Sequence, residues 1–271
     1  MQTKRMRQRV AGLIPAAGKA ERISPLPCSK EIYPVGFHGS NQNKDFRVKV
    51  VSEYLLESMH LAGVAEVYII LRKGKWDIPQ YLGSGKCMDM NFGYLLMDLP
   101  FGVPFTLDQA YPFIKKATVA FGFPDIIFHP ADAFVQLIEK QSDSNSDLVL
   151  GLFLSKRNKR DDMIEFDKNG RIKAIHVKSD STNLLYTWII AVWSSDFTEF
   201  LHEYVLDQKK FLIQNNPHND TEHIKELFIS EVIQAGILRN LKCDHVIFKE
   251  GDYIDIGTGD DLIKASIESR I

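Results

Sequence analysis

The residues best suited to chemistry lie in one loop and at two strand ends. The loop reads Ala16-Ala17-Gly18-Lys19-Ala20-Glu21-Arg22 and runs on through Pro25-Leu26-Pro27-Cys28-Ser29-Lys30. Small residues after a buried strand let a backbone approach a phosphate chain and aim N–H groups at it. Arg22 and Lys30 add a guanidinium fork and a point charge, both suited to neutralising phosphates. The same residues also suit a plain strand-to-helix turn with two solvated cations, and the loop alone does not choose. Asp125 follows Phe123-Pro124, and Asp255 sits in Tyr253-Ile254-Asp255-Ile256-Gly257-Thr258. Each alone reads as a turn or cap residue. Together, beside a phosphate loop, two carboxylates can hold Mg²⁺, with phosphate oxygens and water completing its shell.

Other motifs carry less. The G-x-G-x-x-G dinucleotide fingerprint is absent from the first loop. Gly83-Ser84-Gly85-Lys86-Cys87 lacks the earlier glycine and the closing Ser/Thr of a Walker A loop and reads as a surface turn. His218, Asp220 and His223, and the run Cys243-Asp244-His245, lack zinc spacing and read as solvated loops. Trp188 and Trp193 sit in an apolar strand and read as core. Cys28 has no His/Asn pattern that would make it a nucleophile and reads as packing.

The elements that must position these residues alternate between buried strands and amphipathic helices. Strands are expected at Val10–Pro15, Glu66–Leu71, Tyr94–Met97, Thr118–Phe121 and Asp147–Leu154. Helices are expected at Lys49–Ala62, Trp76–Leu82 and Ala133–Lys140. This rhythm implies an α/β, Rossmann-like, mixed but mainly parallel sheet sandwiched by helices. After residue 155 a hairpin is expected around Asp167-Lys168-Asn169-Gly170, followed by a buried strand Leu185–Trp193. Helices around Phe197–Leu206 and Glu222–Ala235 come next, then a strand pair Val246–Lys249 and Tyr253–Ile256. Thr258 with Asp261 suits a capping box for a last helix. The expected organisation is a single domain: a basic tail 1–9, a core 10–155, an inserted β-rich lobe of about 156–195, and helices with a closing strand in 196–271. In open α/β sheets ligands sit beyond the carboxyl ends of strands, which points to the loops at 16–31, after 121 and after 254.

Composition narrows the classes. The 271 residues carry 33 Lys+Arg against 35 Asp+Glu, a formal net charge of -2, so no general basic face for nucleic acid or anionic membrane is expected. The longest apolar stretch, Leu184–Trp193, is well short of the ~20 residues of a membrane helix. Cys28, Cys87 and Cys243 are an odd, scattered set that argues for a reducing compartment, read as cytoplasmic.

The run Leu13-Ile14-Pro15-Ala16-Ala17-Gly18-Lys19-Ala20-Glu21-Arg22-Ile23, with Pro25-Leu26 and Ser29-Lys30 through Pro34-Val35, resembles the signature loop of sugar-1-phosphate nucleotidyltransferases. The likeness is nearest the glucose-1-phosphate thymidylyltransferase type. His60-Leu61-Ala62-Gly63-Val64 leading into the Glu66–Leu71 strand, the Pro100-Phe101-Gly102 loop, Phe123-Pro124-Asp125, Ile164–Gly170 and the Tyr253–Thr258 motif follow in the family's order. The resemblance implies that Asp125 and Asp255 bind Mg²⁺ and that Ala16, Ala17, Gly18, Met97, Pro100 and Gly102 hold the nucleotide. It assigns catalytic roles to Arg22, Lys30 and Lys178, the last meeting a sugar phosphate from a sugar-binding lobe. The implied reaction joins an NTP and a sugar 1-phosphate, or a related phosphomonoester, into an NDP-sugar and pyrophosphate.

Departures from the family pattern are specific. Ala20 replaces a loop glycine, Met97 a base-reading glutamine, Val177 a sugar-contacting glutamate and Asp162 a glycine near the sugar. Valine accepts no hydroxyl hydrogen bond, which speaks against glucose 1-phosphate itself. Two alternatives therefore stand beside the leading one: a weak or inactive nucleotide-sensing homologue, and a cytidylyltransferase acting on a non-sugar phosphate or phosphonate. The end at Ile271 carries the expectation of no appended β-helix domain, and a homo-oligomer is allowed.

Overall fold

The strand Val10–Ala16 (β1) shows what holds the sheet at the centre. Ala11 and Leu13 point into one apolar cluster, while Ile14 and Ala16 point into another on the opposite face. A strand apolar on both faces must be covered on both faces, and helices do that here. The structure is a computed structural model that describes residues 9–38, 47–156, 161–178, 183–215 and 225–268.

After β1 come the hairpin β2 (Pro34–His38) and β3 (Arg47–Val50), helix α1 (Val51–Leu61), β4 (Glu66–Leu71), α2 (Asp77–Leu82) and β5 (Asn91–Leu96). Then follow α3 (Val103–Asp108), α4 (Tyr111–Ile114), β6 (Thr118–Gly122), β7 (Ile126–His129), α5 (Ala133–Ser144) and β8 (Leu148–Leu154). The rest comprises β9 (Met163–Phe166), β10 (Ile172–His176), β11 (Tyr186–Trp193), α6 (Ser195–Asn215), α7 (Ile229–Leu238), β12 (Cys243–Ile247), β13 (Asp252–Asp255) and α8 (Gly259–Glu268).

Parallel pairings join β5 to β4, β4 to β1 and β1 to β6. The antiparallel strand β11 then joins β6 to β8, and β12 runs parallel to β8 at the edge. The result is a mixed, mostly parallel α/β sheet flanked by helices. Helices α3, α6 and α7 cover one face through Phe105, Phe197 and Val232, and α1 with α5 covers the other through Leu55, Met59 and Phe134. Cys28, Cys87 and Cys243 carry free thiols. Among the described residues no helix is long and apolar enough to cross a membrane.

Several expectations shift at their edges. The helix expected from Lys49 starts at Val51, because Arg47–Val50 pairs with β2 instead. Glu53 Oε2 accepts the Val50 N–H at 2.8 Å and fixes that start. The β9–β10 hairpin forms as expected but meets the main sheet through Met163 and Thr187, and β11 lies inside that sheet. The last two strands do not pair with each other: β12 joins β8 and β13 joins β7. Cys243-Asp244-His245 is strand rather than loop, and His218, Asp220 and His223 lie outside the described residues, as does most of the 1–9 tail.

Candidate active site

The carboxyl ends of β1, β5, β6 and β13 open on a cleft of about 620 Å³. Ala17, Gly18, Arg22, Lys30, Met97, Pro100, Gly102 and Asp125 all line it. Ala16 is the buried last residue of β1 and lies behind the wall, so its contribution is to support the loop. Asp255 and Lys178 lie outside the lining.

Strand register explains how distant residues meet. In the antiparallel β7–β13 pair Asp255 stands opposite Ile126, and Ile256 N–H donates to the Asp125 carbonyl at 2.9 Å. Asp125 and Asp255 are thus neighbours in space. A Cβ on Gly257 would lie 3.0 Å from an Arg22 guanidinium nitrogen and 3.6 Å from an Asp255 carboxylate oxygen. Glycine at that position leaves room for both groups.

Lys30 forms an ion pair with Asp125. Burial opposes its charge, but Asp125, Glu31 and Asp255 outweigh that cost and hold the ammonium above the usual lysine range. The carboxylates already attract a cation, which fits a divalent ion. Among the described residues no three His, Cys, Asp or Glu side chains gather around one point. The carboxylates near Lys30 are those of Asp125, Glu31 and Asp255.

The turn carrying Lys30 is held from behind. Ser29 donates to Asp77 through its N–H at 2.7 Å and its hydroxyl at 2.8 Å. Beside it, Lys75 Nζ donates to Glu31 Oε1 at 2.5 Å, with Lys75 5% and Glu31 2% exposed. Sequence reading passed over this pair because its partners are 44 residues apart in sequence.

Ala20, where relatives are expected to carry glycine, adopts φ +56°, and its carbonyl accepts the N–H groups of Ile23 and Ser24 at 3.2 and 3.1 Å. The left-handed turn is kept, at a cost of about 1–2 kcal/mol for a residue with a Cβ. On the other wall, the helix expected around Glu222–Ala235 begins at Ile229, because Glu231 accepts the Phe228 N–H at 2.8 Å. Leu227 instead runs alongside Gly102 and donates its N–H to the Phe101 carbonyl at 2.9 Å, which brings Glu226 into the cleft lining. A Cβ on Gly102, at φ +116°, would sit 2.1 Å from the Leu227 carbonyl oxygen. Gly102→Ala should lower stability by about 1–3 kcal/mol through backbone strain alone, with the clash adding to it. An unchanged denaturation midpoint would show that the loop does not need this approach.

Lys178 is exposed, at φ +44°, with its ammonium 3.8 Å from the Phe228 ring centroid. Its N–H donates to Asp162 Oδ1 at 3.1 Å. Burial raises the Asp162 carboxyl above the usual range, with Ser230 and Lys178 opposing the shift.

A family model described as nucleotidyl transferase matches residues 11–270. No curated protein matches the sequence. Among solved structures, a Bacillus anthracis protein described as a glucose-1-phosphate thymidylyltransferase, in complex with sucrose, superposes with a TM-score of 0.77 at 18% identity, covering 96% of this chain and 95% of that one. A UDP-glucose pyrophosphorylase complexed with UDP-glucose gives 0.71 at 16% identity, covering 95% of this chain and 97% of that one. These likenesses carry the fold. On the family match across nearly its whole length, the chain belongs to the nucleotidyl transferase family of enzymes.

Proposed function

We propose that this enzyme transfers a nucleotidyl group from an NTP to a sugar 1-phosphate or related phosphomonoester, releasing pyrophosphate. The observation that supports this reading is the β7–β13 pairing, which ties the Asp125 carbonyl to the Ile256 N–H, next to Asp255, at the edge of the cleft that Arg22, Lys30 and Asp125 line. The acceptor phosphate is already an anion, so the site needs positioning and charge neutralisation rather than a strong general base.

The N–H groups around Ala17 and Gly18 would cradle the triphosphate, and the Met97 and Pro100–Gly102 wall would take the base. Arg22 would neutralise the departing pyrophosphate, and Lys30 the triphosphate. Lys178 would orient the acceptor phosphate. Asp125 and Asp255 would hold Mg²⁺, which would supply charge neutralisation for the phosphates.

The acceptor side favours a second version of the same chemistry. Val177 offers no hydrogen bond, and both Asp162 carboxylate oxygens are engaged within the protein. An acceptor with few hydroxyls, such as a non-sugar phosphate or phosphonate, would ask less of these residues than glucose 1-phosphate.

The deciding experiment is a pyrophosphate-release screen of the common NTPs against a library of small phosphates. The expected result is Mg²⁺-dependent release with one base–acceptor combination, abolished by EDTA. Nucleotide binding by calorimetry with no release across the whole panel would replace this reading with a sensing role.

A further inference from the structure

Lys178, assigned above to the acceptor phosphate, stands outside the cleft lining with its ammonium over the Phe228 ring. Its backbone is fixed by a chain of hydrogen bonds that starts in the sheet. Trp188 Nε1–H on β11 donates to Ser230 Oγ at 2.9 Å, and the Ser230 hydroxyl donates to Asp162 Oδ2. Asp162 Oδ1 accepts the Lys178 N–H at 3.1 Å, and the Asp162 carbonyl accepts the Thr187 hydroxyl at 3.1 Å. A non-glycine residue at φ +44° is held only where its surroundings enforce it, and here the enforcing group is the Asp162 carboxylate.

Phe228 immediately follows Leu227, which is tied to the Phe101–Gly102 loop, and Glu226 of the same segment lines the cleft. The ring that holds the ammonium therefore belongs to the cleft's own rim.

We propose that Asp162 and Phe228 are positioning residues for Lys178: Asp162 fixes its backbone, and Phe228 holds its ammonium beside the cleft until an acceptor phosphate draws it in. The proposal rests on the reading given under Proposed function, which assigns Lys178 to the acceptor. A ring face attracts an exposed ammonium weakly, whereas a phosphate forms a charge-assisted hydrogen bond, so the exchange runs toward the ligand. It also gives Asp162 a purpose other than contact with a sugar.

The test is NMR of the full chain after reductive ¹³C-dimethylation of lysines, which keeps their charge, with Lys178 assigned by Lys178→Arg. In the free protein the Lys178 methyl signal should be shifted upfield by the ring, and Phe228→Leu should remove that shift. Adding inorganic phosphate, or methylphosphonate as a second probe without hydroxyls, should move the wild-type signal to the position seen in Phe228→Leu. An unshifted signal in the free protein, or a shifted one that neither probe moves, would overturn the proposal. Both results are read without turnover, so a failed pyrophosphate screen would sink the proposed function and leave this test intact.

Kinetics with the acceptor found in that screen add a sign. Because the ring competes with the ligand, Phe228→Leu should lower the acceptor KM by about two- to fivefold. A raised KM would mean that the ring contacts the acceptor, against the proposal. Asp162→Ala should lower kcat/KM for the acceptor, and Asp162→Asn, which keeps an oxygen for the Lys178 N–H, should restore it. Equal loss in both variants would remove Asp162 from this role.

Discussion

Asp255→Asn should reduce pyrophosphate release by about 10²–10³-fold in saturating Mg²⁺, the scale of losing one preorganised charge-stabilising group from a closed site. The substitution keeps the shape of the side chain and removes its charge. The β13–β7 pairing that carries it is made by backbone groups, so the fold should survive. Asp125→Asn should cost at least as much, because it also removes the ion-pair partner of Lys30. Steady-state assays alongside circular dichroism check both. Full turnover in a folded Asp255→Asn enzyme would take the metal-binding role away from this residue.

The largest stability effect should come from Lys75→Met. Its ion pair with Glu31 is almost fully buried, and burial pushes the Glu31 carboxyl up and the Lys75 ammonium down, with each partner's charge opposing the shift. Removing one member leaves a buried charge without compensation, at a cost of about 3–5 kcal/mol. That is a large share of the roughly 5–15 kcal/mol that holds a domain folded. The double variant Lys75→Met with Glu31→Leu should recover most of the loss, since an apolar pair of similar volume is often neutral.

The single variant should also respond to pH. With Lys75 gone, the folded state binds a proton on Glu31 more tightly than the unfolded chain does. Stability should therefore fall as pH rises above the unfolded carboxyl range and recover toward acid. Urea midpoints at several pH values measure this, and a cost below 1 kcal/mol throughout would show that the pair is hydrated. Because Glu31 adjoins Lys30, activity should fall with stability.

How far the sequence revealed this molecule depends on the range of the interaction. Buried strands such as Val10–Ala16 and Glu66–Leu71 were legible because an apolar run between turns leaves few alternatives. The Asn169-Gly170 turn named its hairpin, and Thr258 with Asp261 named its cap, since local chemistry sets both. The clustering of Ala17, Gly18, Arg22, Lys30 and Asp125 followed from the rule that sites lie beyond strand ends. Three features were not legible. The partner of β13 is β7 and not β12, and nothing local in either strand records which edge it will meet. Glu226 reached the cleft because Leu227 runs beside Gly102, a contact that interrupts an expected helix. The Glu31–Lys75 pair was hidden because charged residues are normally read as exposed.

The β7–β13 pairing also bears on how the enzyme matures. It joins Ile126 to Asp255 across more than a hundred residues of intervening chain, so a large loop must close before the two aspartates can meet. The two aspartates become neighbours only once that closure is made. A chain with most of its helices and its parallel strands in place would still have an open, half-charged cleft. Recovery of activity should consequently lag behind recovery of secondary structure, and the final strand acts as a checkpoint between being folded and being functional.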